Sequence, residues 1–163
     1  MDPQPVIGDI RRELRRLLGQ KLQRSRKFFA TRHFYFAEPG RVVGGGGSHF
    51  TLGLECAWRI QTREQIIVGS EDYYEPADQN TDPNWDPEMP GGHLQDQKLV
   101  ELMGELADGD IINRGRDLVV TSVDADVYGG LEIGLTGGYS LVACRGEFVS
   151  MAAPDDGHQR ISN

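Results

Sequence analysis

Cysteine, histidine and long apolar runs are all scarce in this sequence, and each scarcity removes a class of protein. The 163 residues include two cysteines, Cys56 and Cys144. Both fall in apolar, strand-like sequence, where a free cysteine acts as a small hydrophobe. A small secreted domain would use several bridges, so a reducing cytoplasm is the expected location. No stretch approaches the roughly 18 apolar residues of a membrane-spanning helix. The N-terminus lacks the apolar run of a secretory signal, and no membrane insertion is expected. The four histidines, His33, His49, His93 and His158, form no H-x-x-x-H pair, and neither cysteine belongs to a C-x-x-C. The G-x-S-x-G and G-x-x-x-x-G-K-S/T strings are missing too. No cofactor is implied.

Positive charge is scarce only beyond residue 41. The net charge is −8, yet residues 1–41 hold ten Lys/Arg against four Asp/Glu, and the remainder holds seven against twenty-one. An acidic body argues against bulk nucleic-acid binding, which needs cations against phosphates. The basic head keeps a local contact open. Apolar residues at 38% and charged residues at 26% describe a globular chain. The 21 glycines and 8 prolines favour turns and short strands over long helices. Together these features predict a single α+β domain built on an antiparallel sheet, meander- or sandwich-like.

Ile10, Leu14, Leu17 and Leu18 recur at helical spacing with arginines between them. This predicts a basic amphipathic helix over about residues 9–24, so that 1–27 is an N-terminal helical unit. Residues 28–151 then form the β core, and 152–163 a flexible tail. Phe28–Glu38 reads as a strand, and Gly44–Gly47 as a hairpin loop. Phe50, Leu52, Leu54, Cys56, Trp58 and Ile60 alternate over eleven residues, which predicts one strand with a buried face. Gln65–Ser70 is its expected partner across a Thr62-Arg63-Glu64 turn. Leu94, Leu99, Leu102, Met103 and Leu106 predict a helix over 94–107 that Asp108-Gly109 ends. Leu118–Val127, Leu131–Leu135 and Tyr139–Ala143 complete a meander.

Residues 71–93 form an acidic loop. Glu71, Asp72, Glu75, Asp78, Asp82, Asp86 and Glu88 occupy eighteen residues without one Lys or Arg. Tyr73, Tyr74 and Trp85 lie among them as candidate pins and apolar contacts. Asp78, Asn80, Asp82, Asn84 and Asp86 fall at every second position, as oxygen donors do at the start of a calcium loop. Pro83 stands where such a loop needs glycine, and Met89 where it needs a bidentate glutamate. Trp58 reads as core, and Arg59 then points to the opposite strand face, toward the acidic loop or solvent.

A set of strings spans residues 50–145: Leu54-Glu55-Cys56-Ala57-Trp58-Arg59-Ile60, Ile67-Val68-Gly69-Ser70 with Asp72-Tyr73-Tyr74, Pro76-Ala77, Trp85-Asp86, and Leu135-Thr136-Gly137-Gly138-Tyr139. Over that range the chain resembles a family of small uncharacterised bacterial proteins with a C-x-W-R-I strand and a GGY hairpin. The resemblance implies membership and no particular activity. The family pattern places an aromatic, basic strand after Leu141, where this chain has Arg145-Gly146-Glu147-Phe148-Val149.

Three functional readings are open. The first is a non-enzymatic interaction module, immunity- or antitoxin-like, that masks a partner's basic surface with Tyr73, Tyr74, Glu75, Asp78, Asp82, Trp85 and Asp86. The second is a small-ligand-binding protein or an enzyme whose carboxylates meet only in the fold, with Glu55, Asp72 and Asp126 as candidates. The third is divalent-cation binding at residues 78–86.

Overall fold

Strand pairing organises the larger part of the described residues. The structure, a computed structural model, describes residues 11–28, 31–40, 49–55, 57–77, 84, 86, 93–126, 130–143 and 148–152. Residues 11–14 form helix α1, which tightens into a 3-10 turn at Arg15–Leu17. Leu14 and Leu17 are fully buried, whereas Leu18 is exposed. Gly19, at a φ of 82°, ends the helical path in a conformation that costs other residues strain.

The next elements are β1 (Lys21–Phe28), β2 (Thr31–Ala37) and β3 (His49–Leu54), then β4 (Trp58–Gln61) and β5 (Ile66–Gly69). A 3-10 turn at Ser70–Tyr74 precedes helix α2 (Leu94–Met103). After it come β6 (Gly104–Ala107), β7 (Asp110–Asn113), β8 (Val120–Ala125), β9 (Leu131–Leu135), β10 (Tyr139–Ala143) and β11 (Phe148–Ala152).

One sheet runs β11-β3-β2-β1-β7-β6 and the other β5-β4-β10-β9-β8. Every pairing among these strands is antiparallel. The fold is a single α+β domain dominated by antiparallel sheet, as the composition predicts. Phe34 and Phe36 of β2, with Leu52 and Leu54 of β3, face Trp58, Ile60, Ile133 and Leu141 of the other sheet in one core. Phe34 and Trp58 meet edge to face at 5.1 Å. Each fully buried side chain of this size contributes about 1.5–3 kcal/mol. At one corner the sheets join: Leu22 N–H donates to the Leu118 carbonyl at 2.8 Å, and Val120 N–H to that of Gln20 at 2.8 Å.

Four expectations need correction. The predicted helix over 9–24, and with it the 1–27 unit, stops short, because residues 21–28 are β1 and pair with β2 along their length. The 50–60 strand is two strands in different sheets. Only Trp58–Gln61 pairs with Ile66–Gly69, while His49–Leu54 pairs with β2 and β11. The helix predicted over 94–107 ends at Met103, and Gly104–Ala107 pairs with β7. Asp108-Gly109 is the two-residue turn of that hairpin, at φ values of 53° and 84°, the left-handed region such turns require. The Gly44–Gly47 loop, Cys56, Cys144 and the 153–163 part of the tail lie outside the described residues.

Candidate functional site

The start of the acidic segment is a fixed turn. Asp72 sets it, accepting from the Gly69 N–H at 2.9 Å and from Lys98 Nζ at 2.9 Å. Lys98 is on α2, so one carboxylate ties the turn both to the end of β5 and to the helix. The Glu75 carbonyl accepts from Leu94 N–H at 2.7 Å, and Pro76 bridges to His93. Tyr73 packs edge-on against His93 at 5.0 Å, with Lys27 Nζ 4.1 Å from its ring centroid.

Beneath the turn lies a buried polar network that holds α2 to the six-stranded sheet. Arg32, on β2, is 2% exposed. It donates from Nη1 to Asp96 at 2.9 Å and to Gln95 at 3.2 Å, and from Nε to Ser25 Oγ at 2.7 Å. Gln95 donates onward to the Gly69 carbonyl at 3.1 Å. His93 caps the helix, its Nδ1 accepting from Asp96 N–H at 3.2 Å. Burial pulls the Arg32 pKa below its ordinary value, and Asp96 pulls it back up. A buried guanidinium with these acceptors is a rigid strut: Gln95 and Asp96, adjacent on one turn of α2, grip the sheet and the Gly69–Ser70 backbone together.

Against this support the outward groups stand clear. Glu71 and Glu75 are exposed, Tyr74 is 75% exposed, and Ile66 is 63% exposed. A cleft of about 310 Å³ opens beside the turn, lined among others by Trp58, Arg59, Ile66, Glu71, Asp72 and Lys98. Arg59 does lie toward the acidic segment, on the strand face opposite the core, and donates from Nε to Gln61 at 2.6 Å.

The sequence candidates divide. Tyr73, Tyr74 and Glu75 fall on the fixed turn, but Tyr74 is 75% exposed and does not reach the core; among the described residues its ring contact is the edge of Tyr73 at 5.1 Å. Asp78, Asn80, Asp82 and Trp85 lie outside the described residues. Asn84 and Asp86 are described, and among the described residues no group of three or more His, Cys, Asp and Glu could hold a metal ion.

The carboxylates Glu55, Asp72 and Asp126 are not brought together. Asp72 follows β5 and Asp126 follows β8, at opposite edges of the five-stranded sheet. Four inter-strand gaps put those edges roughly 19 Å apart. Glu55 follows β3 in the other sheet and accepts from Thr31 Oγ1 at 3.0 Å. Asp126 accepts from Gly130 N–H at 3.0 Å in a turn.

The residues that sequence reasoning passed over are Ser25, Arg32, His93, Gln95, Asp96 and Lys98. One signal was present. Arg32 shares the period-two face of Phe34 and Phe36, and a charge on an apolar strand face demands a buried partner. No protein-family model, curated protein or solved structure matches the chain.

Proposed function

We propose that the protein is a non-enzymatic interaction module, immunity- or antitoxin-like in mode, that docks its acidic segment onto a positively charged protein surface. The observation that carries this reading is Tyr74. This residue is 75% exposed on a turn fixed from both sides, between the exposed residues Glu71 and Glu75. An aromatic held outward on a rigid support loses little conformational freedom on binding and supplies the apolar anchor of an interaction hot spot. The flanking carboxylates steer a basic partner toward it. Among the described residues the turn is held by Asp72, Lys98 and the Glu75 and Leu94 backbone and not by the Tyr74 side chain, so Tyr74→Ala is expected to fold.

Affinity capture at low salt, with wild type and Tyr74→Ala run in parallel, tests the proposal. Wild type retains a basic protein that the folded variant loses or binds at least tenfold more weakly. Equal retention of the same protein by both would reject the turn as the contact.

The cleft favours a second reading, a small-ligand site. Arg59 and Lys98 share it with Glu71 and Asp72, so it offers both signs of charge along β4 at Trp58 and Arg59. A zwitterionic fragment that shifts the Arg59 and Ser70 backbone amide NMR signals in wild type, with the Ser70 shift lost in Arg59→Ala, would favour it.

A further inference from the structure

The basic N-terminal third, which the acidic turn does not use, builds a second surface on the outer face of the six-stranded sheet. Strand register lays it out. Arg24 lies opposite Tyr35, Arg26 opposite His33, and His33 opposite Gly53 of β3. Phe28, His33 and Tyr35 form a row of rings: Phe28 meets His33 edge-on at 5.2 Å, and His33 stacks on Tyr35 at 6.3 Å. The Arg24 guanidinium lies 4.3 Å from the Tyr35 centroid, and that of Arg26 5.1 Å from the Phe28 centroid. Gly53 leaves space for this row, since a Cβ there would come within 3.1 Å of the His33 ring.

The charge on this face is unevenly placed. Arg24 and Arg26 share one carboxylate, Asp110, at 3.4 Å each. Glu55 and Glu105, at the margins, are engaged by Thr31 and Arg114. Around Asp110 the two guanidiniums therefore outnumber the carboxylate, while Glu55, held by a neutral hydroxyl, keeps its own charge at the far margin beside Thr31. Hydrogen bonding is incomplete as well. Among the described residues, Arg24 Nε and His33 Nδ1 are enclosed and meet no hydrogen-bond partner, an arrangement that native structures rarely leave unexplained.

We propose that this face binds a single-stranded nucleic acid, with bases stacking on Phe28 and on the guanidinium planes, and a phosphate facing the N–H edges of Arg24 and Arg26. Three features select this ligand. The pairing of aromatic rings with guanidiniums suits a polymer that alternates planar bases with anions. The face crosses from β7 to β3, three inter-strand gaps or about 14 Å, which is wider than one base. A sheet face of this kind reads splayed bases, which a duplex does not offer. The net charge of −8 is no obstacle, because the docking turn meets β1 through Lys27, whose side chain points to the opposite face from Arg26 and Phe28, and salt screens exposed charges over about 8 Å at physiological strength.

The test is fluorescence anisotropy of the full chain with labelled single strands of about ten nucleotides, against an abasic backbone of equal length, the matching duplex and poly-glutamate. Phe28 is 44% exposed and the Arg26 side chain 41%, so Phe28→Ala and Arg26→Gln are expected to fold, which melting checks. The single strand binds at low salt, the abasic backbone and duplex bind at least tenfold more weakly, and Phe28→Ala costs roughly tenfold. Arg26→Gln weakens binding and flattens its salt dependence. The proposal is overturned by any of three results: no single-strand binding at low salt, equal binding of the abasic backbone or poly-glutamate, or unchanged binding in both folded variants.

Discussion

Trp58 and His33 show how far a single position can be read. Trp58 lies on a period-two face and is 4% exposed, with its ring against Phe34 of the opposite sheet. Its place in the core was legible because alternation alone assigns a face. Trp58→Ala removes a contact between the sheets and should cost about 3–5 kcal/mol, read from urea unfolding midpoints; a cost below about 1 kcal/mol would contradict its core position. His33 is different, because its surroundings come from neighbouring strands that the sequence does not name. Burial, and then the charge of Arg32, holds its pKa below the ordinary 6.5. The unfolded chain therefore takes up the proton first as pH falls. Stability from this group is unaffected above the ordinary value and declines as pH drops below it toward the folded value. Between about pH 7.5 and 5, the urea midpoint of wild type should fall more than that of His33→Gln; parallel profiles would show that the ring is not held neutral.

At the scale of elements, the buried Arg32–Asp96 pair explains why α2, and the turn docked on it, sit where they do. Asp96→Ala leaves the guanidinium buried without its charge partner and should cost about 3–5 kcal/mol. Lys98→Ala, at a half-exposed pair, should cost no more than about 1 kcal/mol. Replacing Arg32 with Met and Asp96 with Leu together should cost less than Asp96→Ala alone, since no unpaired charge remains. If the double variant is the less stable, the pair is worth more than its desolvation. The same pair shows why β1 was read as helix. Its inward positions carry Leu22, Ser25 and Lys27, and Ser25 accepts from Arg32, so alternation is absent and the spacing from Leu14 and Leu18 to Leu22 imitates a helix. The break between β3 and β4 was hidden by the opposite cause. Phe50, Leu52 and Leu54 face the core from one sheet, and Trp58 and Ile60 face the same core from the other. Period two therefore runs on through the crossing, and only pairing reveals it.

For the whole molecule, the segregation of charge seen in the sequence becomes a segregation of surfaces. The acidic turn follows β5 at the edge of one sheet, and the arginine–aromatic row lies on the outer face of the other. The acid-rich composition was legible. The fixed exposure of Tyr74 was not, because it depends on Asp72, Lys98 and Leu94 meeting across the fold. Calcium is expected to leave the melting temperature unchanged, since a native-state site would raise it by mass action; a rise lost in Asp78→Asn with Asp82→Asn would restore the cation reading. The central claim is electrostatic docking through the acidic segment, and the salt dependence of association with the captured basic partner tests it most directly. Steering by a dense carboxylate patch acts on the on-rate and weakens as the screening length shrinks to about 8 Å. The association rate should fall roughly tenfold or more between low and physiological salt. Replacing Asp78, Asp82 and Asp86 with asparagine should slow association at low salt while leaving the melting temperature intact. An on-rate indifferent both to salt and to the triple replacement would contradict the account.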